Sequence, residues 1–176
     1  MAAKNGHIDV VAWLIEQGGA DVNLRMKDGS SIFDWAVFGG NLETISFLAR
    51  NPNIDIHSLN QFGCGAAFWA SAAGRVDVAK YLLEIDVDFK LINHAGHSAV
   101  GKAAWKGYRD LVEWLIEAVD GPKLGYQCYI PAVDGRTPLE KATLAGHTHV
   151  ATYIAAFMAA NPKSPIEAVP ACEFDA

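Results

Sequence analysis

Charge is scarce in this chain, cysteine scarcer, and long apolar runs are missing; each shortage excludes a class of protein. Charged residues make up 19% of the 176, and Asp and Glu outnumber Lys and Arg by 20 to 14. No free-standing basic run stands out against that net charge of −6. A dedicated nucleic-acid binder needs a basic surface to neutralise phosphates, so nucleic acid is not an expected partner. The aliphatic stretches at 10–15 and 111–116 are helix-sized and fall short of the roughly 18 to 20 residues that span a bilayer, so no membrane insertion is expected. The three cysteines, Cys64, Cys128 and Cys172, share no close spacing and read as reduced thiols. The first eleven residues carry no charged leader followed by an apolar core, so an intracellular location is expected, cytoplasmic with nuclear left open.

Chemistry-bearing motifs are missing too. His94 and His97 flank one glycine, and His147 and His149 open a helix, but neither pair has cysteine or carboxylate at ligand spacing; no metal site and no cofactor follow. There is no nucleophile elbow, phosphate loop or dinucleotide fingerprint, so no residue is assigned a catalytic role and the chain is read as a non-enzyme. What remains is apolar: 51% hydrophobic residues, ample for a folded domain.

Glycine supplies the organising signal. Gly6, Gly40, Gly74, Gly107 and Gly146 are separated by 34, 34, 33 and 39 residues, and Gly29, Gly63, Gly96 and Gly135 run in step at 34, 33 and 39. A period near 33 residues with two glycines per unit marks a solenoid of stacked helical units. Within each unit the first glycine falls in a tight turn, a short alanine-rich helix follows, and the second glycine ends that helix in a left-handed cap. A longer second helix then supplies apolar residues at i, i+3 and i+4, as in Val10, Val11, Leu14 and Ile15.

The segments Asp134-Gly135-Arg136-Thr137-Pro138-Leu139, Ala145-Gly146-His147, Asn5-Gly6-His7-Ile8-Asp9-Val10-Val11 and Gly19-Ala20-Asp21-Val22-Asn23 resemble the ankyrin-repeat family. The resemblance covers about residues 1–158. It implies an all-α solenoid of about five repeats, each a β-turn and two antiparallel helices, at about 1–25, 26–59, 60–92, 93–131 and 132–158, the first incomplete. It also implies a non-catalytic protein-binding module, with a structural segment of a larger ankyrin array as the alternative. Asn23 resembles the asparagine that an oxygenase hydroxylates in such repeats.

The departures from the family pattern carry their own expectations. The Thr-Pro-Leu-His opening of the short helix survives only as Thr137-Pro138-Leu139-Glu140; Asp34, Phe68 and Gly101 stand at the other histidine positions. In the family that threonine and histidine tie successive turns together, so a looser turn ladder is implied. Gly101, inside its helix, costs about 0.5 to 1 kcal/mol relative to alanine, making the fourth repeat the softest of the middle ones. The spacing of 39 rather than 33 places an insertion near 119–131, expected to project as a loop. The segment 159–176, with Pro162, Pro165 and Pro170, is expected to be disordered or loosely draped.

Partners of the family are held by turn tips and the exposed side of the short helices, which together form a concave face. Carried onto this chain, the partner-binding residues are Lys4, Lys27, Asp28, Phe38, Phe62, His94, His97, Trp105, Lys106, Arg136 and Leu144. Trp105 is read as a contact anchor; for Phe38 and Phe62 packing against the next turn is the stronger alternative. Trp35 and Trp69 continue through Lys102 and Lys141 as a ladder read mainly as packing, as is the series Trp13, Phe47, Tyr81, Trp114 and Tyr153 on the second helices. Lysines and Arg136 gather on the turns and short helices while the second helices are acidic, so the protein partner, of unknown identity and with the oligomeric state open, is expected to be acidic.

Overall fold

A computed structural model describes residues 1–162; of the tail expected at 159–176, residues 159–160 belong instead to the last helix and 163–176 lie outside the described residues. The described chain is all helical, without strands. Its helices are α1 (Ile8–Glu16), α2 (Ile32–Gly39), α3 (Leu42–Ala49), α4 (Ala66–Ala73), α5 (Val76–Glu84), α6 (Ala99–Lys106), α7 (Arg109–Ile116), α8 (Pro138–Leu144) and α9 (Thr148–Ala160). The first helices of successive repeats, α2, α4, α6 and α8, pack side by side, and each leans on its own second helix, α3, α5, α7 or α9. This is the arrangement of an ankyrin solenoid.

Side-chain size explains the close row of first helices. Ala36, Ala70, Ala103 and Ala142 stand at the same register position and are all completely buried, so nothing larger than a methyl separates neighbours. Behind them Ile45, Leu48, Val78, Leu82, Leu111, Leu115, Val150 and Ile154 form the fully buried seam of the second helices, each side chain contributing about 1.5–3 kcal/mol on burial. The second helices are scarcely longer than the first, with 8 residues in both α2 and α3 and in both α6 and α7; α9, at 13, is the exception. Every glycine of the two periodic series has a positive φ, between 71° and 82°, which carries each helix into its turn without strain.

The turn ladder is intact despite the lost histidines. Backbone N–H groups of Gln61, His94 and Val133 donate across repeats to the carbonyls of Asp28, Phe62 and Ala95 at 3.1, 3.0 and 3.0 Å. Asn60 and Asn93 add to this, donating through Nδ2 to Ser30 Oγ and Cys64 Sγ. At two of the histidine positions a carboxylate acts within its own helix instead, where Asp34 and Glu140 close capping boxes with Ser31 and Thr137, satisfying N–H groups the helices leave without partners. The expected loosening is therefore corrected, because peptide groups and asparagines supply the links.

The insertion folds inward from Leu124 rather than projecting throughout, although Val119 at its start is 97% exposed. Residues Gly125–Tyr129 form a 3₁₀ turn packed against α6, α7 and α8, and Leu124, Gln127 and Cys128 are completely buried. Leu124 N–H donates to Leu115 O at 2.8 Å. Gln127 takes the N–H of Val100 on Oε1 at 3.2 Å and gives its Nε2 to Phe89 O at 3.1 Å. The loop folds inward because its apolar residues gain burial while its one buried amide satisfies an orphan donor at the start of α6.

Candidate interaction face

Turn tips and first helices share one face of the array, and the register of each first helix decides what appears there. One row runs Trp35, Trp69, Lys102, Lys141; the other runs Lys4, Phe38, Trp105, Leu144, broken by Ala72 in the third repeat. Close approach at the near end is enforced by Gly39, where an added Cβ would lie 1.9 Å from the Lys4 carbonyl oxygen. Lys4 is thereby laid across α2.

The rings form one connected strip. Trp35 and Trp69 stack with centroids 6.0 Å apart, Phe38 meets both edge-on at 6.1 and 5.7 Å, and Phe68 meets Trp69 edge-on at 6.1 Å. Ammonium groups clamp both ends. Lys4 Nζ lies 5.0 Å from the Trp35 ring and 5.1 Å from Phe38, while Lys102 Nζ lies 4.9 Å from Phe68 and 4.7 Å from Trp105. Such contacts are worth about 0.5–1 kcal/mol at exposed sites and up to about 2 when desolvated.

The electrostatics follow from this packing. Burial, then the neighbouring Lys106, holds the Lys102 ammonium below its ordinary pKa, and burial followed by Lys141 and Lys102 does the same to His97, whose ring lies 6.1 Å from Trp105. Lys141 is nearly enclosed and reaches Asp134 at 3.5 Å. Lys4, Lys102 and Lys106 have no carboxylate at ion-pair distance among the described residues. The ring strip thus presents positive charge over aromatic surface, and the acid on its own helix, Asp34, is buried in its capping box.

The sequence-selected residues separate into groups. Lys4, Phe38, Trp105, Lys106 and His97 join the strip; Trp105 remains 45% exposed, whereas Phe38 is half-buried among the tryptophans. Phe62 is 53% exposed at its turn tip, and Leu144 is 68% exposed on α8. Lys27 and His94 are exposed on turns. Asp28 is committed to its own turn, accepting from Ser30 N and Oγ, and Arg136 pairs with Asp134. Phe68 escaped the sequence reading, although its signal was present: an aromatic at a histidine position otherwise held by Asp34, Gly101 and Glu140.

On the other face, packing accounts for most of the second-helix aromatics. Trp114 is 4% exposed, Phe47, Tyr81 and Tyr153 are half-buried, and Tyr153 donates to Glu117 Oε2 at 2.7 Å. Trp13 differs at 60% exposure, since no described helix lies on the outer side of α1. Burial raises both thiols, Cys64 and Cys128, the latter to about 12, which makes them poor nucleophiles. Among the described residues no group of three or more His, Cys, Asp or Glu side chains could hold a metal ion, and no helix is long and apolar enough to cross a membrane.

Comparison with known proteins agrees with the architecture. Two family models match, "Ankyrin repeats (many copies)" over residues 1–49 and "Ankyrin repeats (3 copies)" over 52–128. The chain is 29% identical over 118 residues to "Protein VAPYRIN-LIKE" of Medicago truncatula, spanning 65% of this chain and 24% of that protein. It is 30% identical over 94 residues to the "Notch-regulated ankyrin repeat-containing protein" of Xenopus laevis, covering 52% of this chain and 82% of that one. The human protein of that name is 31% identical over 88 residues, covering 48% and 77%. With its glycine period, its paired helices and these matches, the chain belongs to the ankyrin-repeat family, whose arrays mediate protein–protein interaction.

Proposed function

We propose that this protein is a non-catalytic binding module that holds an acidic protein segment against the turn tips and first helices, the face the family makes concave. The observation that carries the reading is the ring strip clamped by Lys4 and Lys102, whose ammonium groups, with Lys106, lack carboxylate partners among the described residues. A partner carboxylate supplies the missing countercharge, and the rings supply rigid area that loses little entropy on contact. Trp105 is the anchor, being large, half-open and flanked by lysines. Phe38 supports it from within the strip. Phe62, His94 and Lys27 extend the surface along the tips.

Selection of displayed random peptides on the full chain tests this. Peptides carrying Asp or Glu beside apolar residues are expected, with binding lost on Trp105→Ala and kept on Trp13→Ala, whose indole is exposed on α1. Enrichment of basic peptides, or binding indifferent to Trp105, would refute the reading.

A further inference from the structure

A separate cavity of about 100 Å³ lies in the third repeat against the end of the second, lined mainly by Ile56, Leu59, Ala67, Phe68, Val87 and Leu91. Its origin is legible in the repeat register. Ala67 stands where the other repeats place Phe33, Val100 and Leu139, so the third repeat lacks the side chain that would fill this space. Gly65, just before α4, lets Leu59 lie close, since an added Cβ would stand 2.8 Å from Leu59 Cδ2. At the rim Leu59 and Leu91 are 48% and 45% exposed, leaving apolar surface in water at the mouth.

We propose that this cavity is a receptor for one branched aliphatic side chain, a leucine, of the partner segment. Volume argues for leucine. A dry apolar cavity of about 150 Å³ accepts benzene, about 25 Å³ per carbon, so about 100 Å³ accepts about four carbons, the isobutyl group. Position argues for a segment that also uses the ring strip. Phe68 is a wall of the cavity and, at the same time, the ring that meets Trp69 and carries the Lys102 ammonium. One extended segment therefore places an acidic residue near Lys102 and a leucine beside Phe68. The proposal rests on the strip being a binding surface only for the identity of the occupant; the receptor property belongs to the cavity alone.

The test is methyl-resolved NMR of the full chain titrated with N-acetyl-leucine amide and, separately, N-acetyl-alanine amide. The leucine probe is expected to shift the Leu59, Val87 and Leu91 methyls saturably at millimolar concentration, at least tenfold more strongly than the alanine probe, because about three extra carbons are buried at about 0.8 kcal/mol each. Ala67→Leu should abolish the shifts while raising Tm by a few degrees, since it fills the space; Ala67→Val serves if the larger residue perturbs the fold. Trp105→Ala should leave them unchanged, so failure of the strip reading and failure of the cavity reading are told apart. Absence of saturable shifts, equal response to both probes, or shifts that survive filling of the cavity would overturn the proposal.

Discussion

The helices α4 and α8 hold the same place in their repeats and open with opposite chemistry. At α8, Thr137 and Glu140 close a capping box, Pro138 fills the first turn, Leu139 packs inward and Lys141 reaches Asp134. At α4, Gly65 caps with no side chain, Ala67 leaves a cavity, and Phe68 and Trp69 present rings to the face. Both helices nevertheless keep the same buried alanine, Ala142 or Ala70, and a positive-φ glycine behind them. The repeat frame thus tolerates loss of local stabilisation at α4 because neighbouring helices hold it.

The largest expected effect belongs to the inserted turn, which packs against α8 and whose Gln127 ties α6 to the end of the third repeat. Gln127→Ala should destabilise the protein by about 3 kcal/mol, since it strands the buried Val100 N–H and Phe89 carbonyl; urea unfolding measures it, and a loss below about 1 kcal/mol would mean that the turn carries little of the contact between repeats. Next, Trp105→Ala should cost about 2 kcal/mol of peptide affinity, roughly thirtyfold, against under threefold for Leu144→Ala, which lies beyond the strip. Calorimetry with a selected acidic peptide ranks them, and equal losses would erase the division between the two ends.

Removing the cap, Thr137→Ala, should cost about 1 kcal/mol, read as faster amide exchange confined to α8. The pH dependence of the two capping carboxylates should have opposite sign. Burial raises the Asp34 pKa in the folded state despite its bonds to Ser31, so the stability of the natural chain relative to Asp34→Asn should grow as pH falls through that raised pKa. Bonds to Thr137 lower the Glu140 pKa, so its advantage over Glu140→Gln should be present above the unfolded value and fade as pH falls through the lowered one. Tm of each pair between pH 7 and pH 3 checks both signs. Last and smallest, Gly101→Ala should stabilise α6 by less than about 1 kcal/mol, because the new methyl sits 3.3 Å from Ser98 Oγ; slower exchange across 100–105 is the readout.

Much of the frame was legible because its causes are local and periodic. A left-handed glycine, an alanine between packed helices and an i, i+3, i+4 apolar seam each act within one repeat, so spacing alone exposes them. The inward fold of 119–131 was hidden, since glycine and proline mark an irregular path without saying which way it turns. Leu124 and Cys128 needed a place to be buried, and Gln127 needed the free Val100 N–H, 27 residues away. Phe68 carried a local signal, an aromatic at a histidine position, but its contact with Lys102 joins two repeats and could not be read from spacing.

The amino-acid sequence by itself determined the unit, its period and the row of positions from which side chains reach the first-helix face, because turn geometry and helix periodicity are properties of short segments. Tertiary structure decided which of those side chains meet: Lys4 over α2, Lys102 between Phe68 and Trp105, and an unfilled space beneath Phe68. Those outcomes depend on the volume and charge of side chains from different repeats, or from opposite ends of one repeat, brought within contact only when the chain folds and the repeats stack.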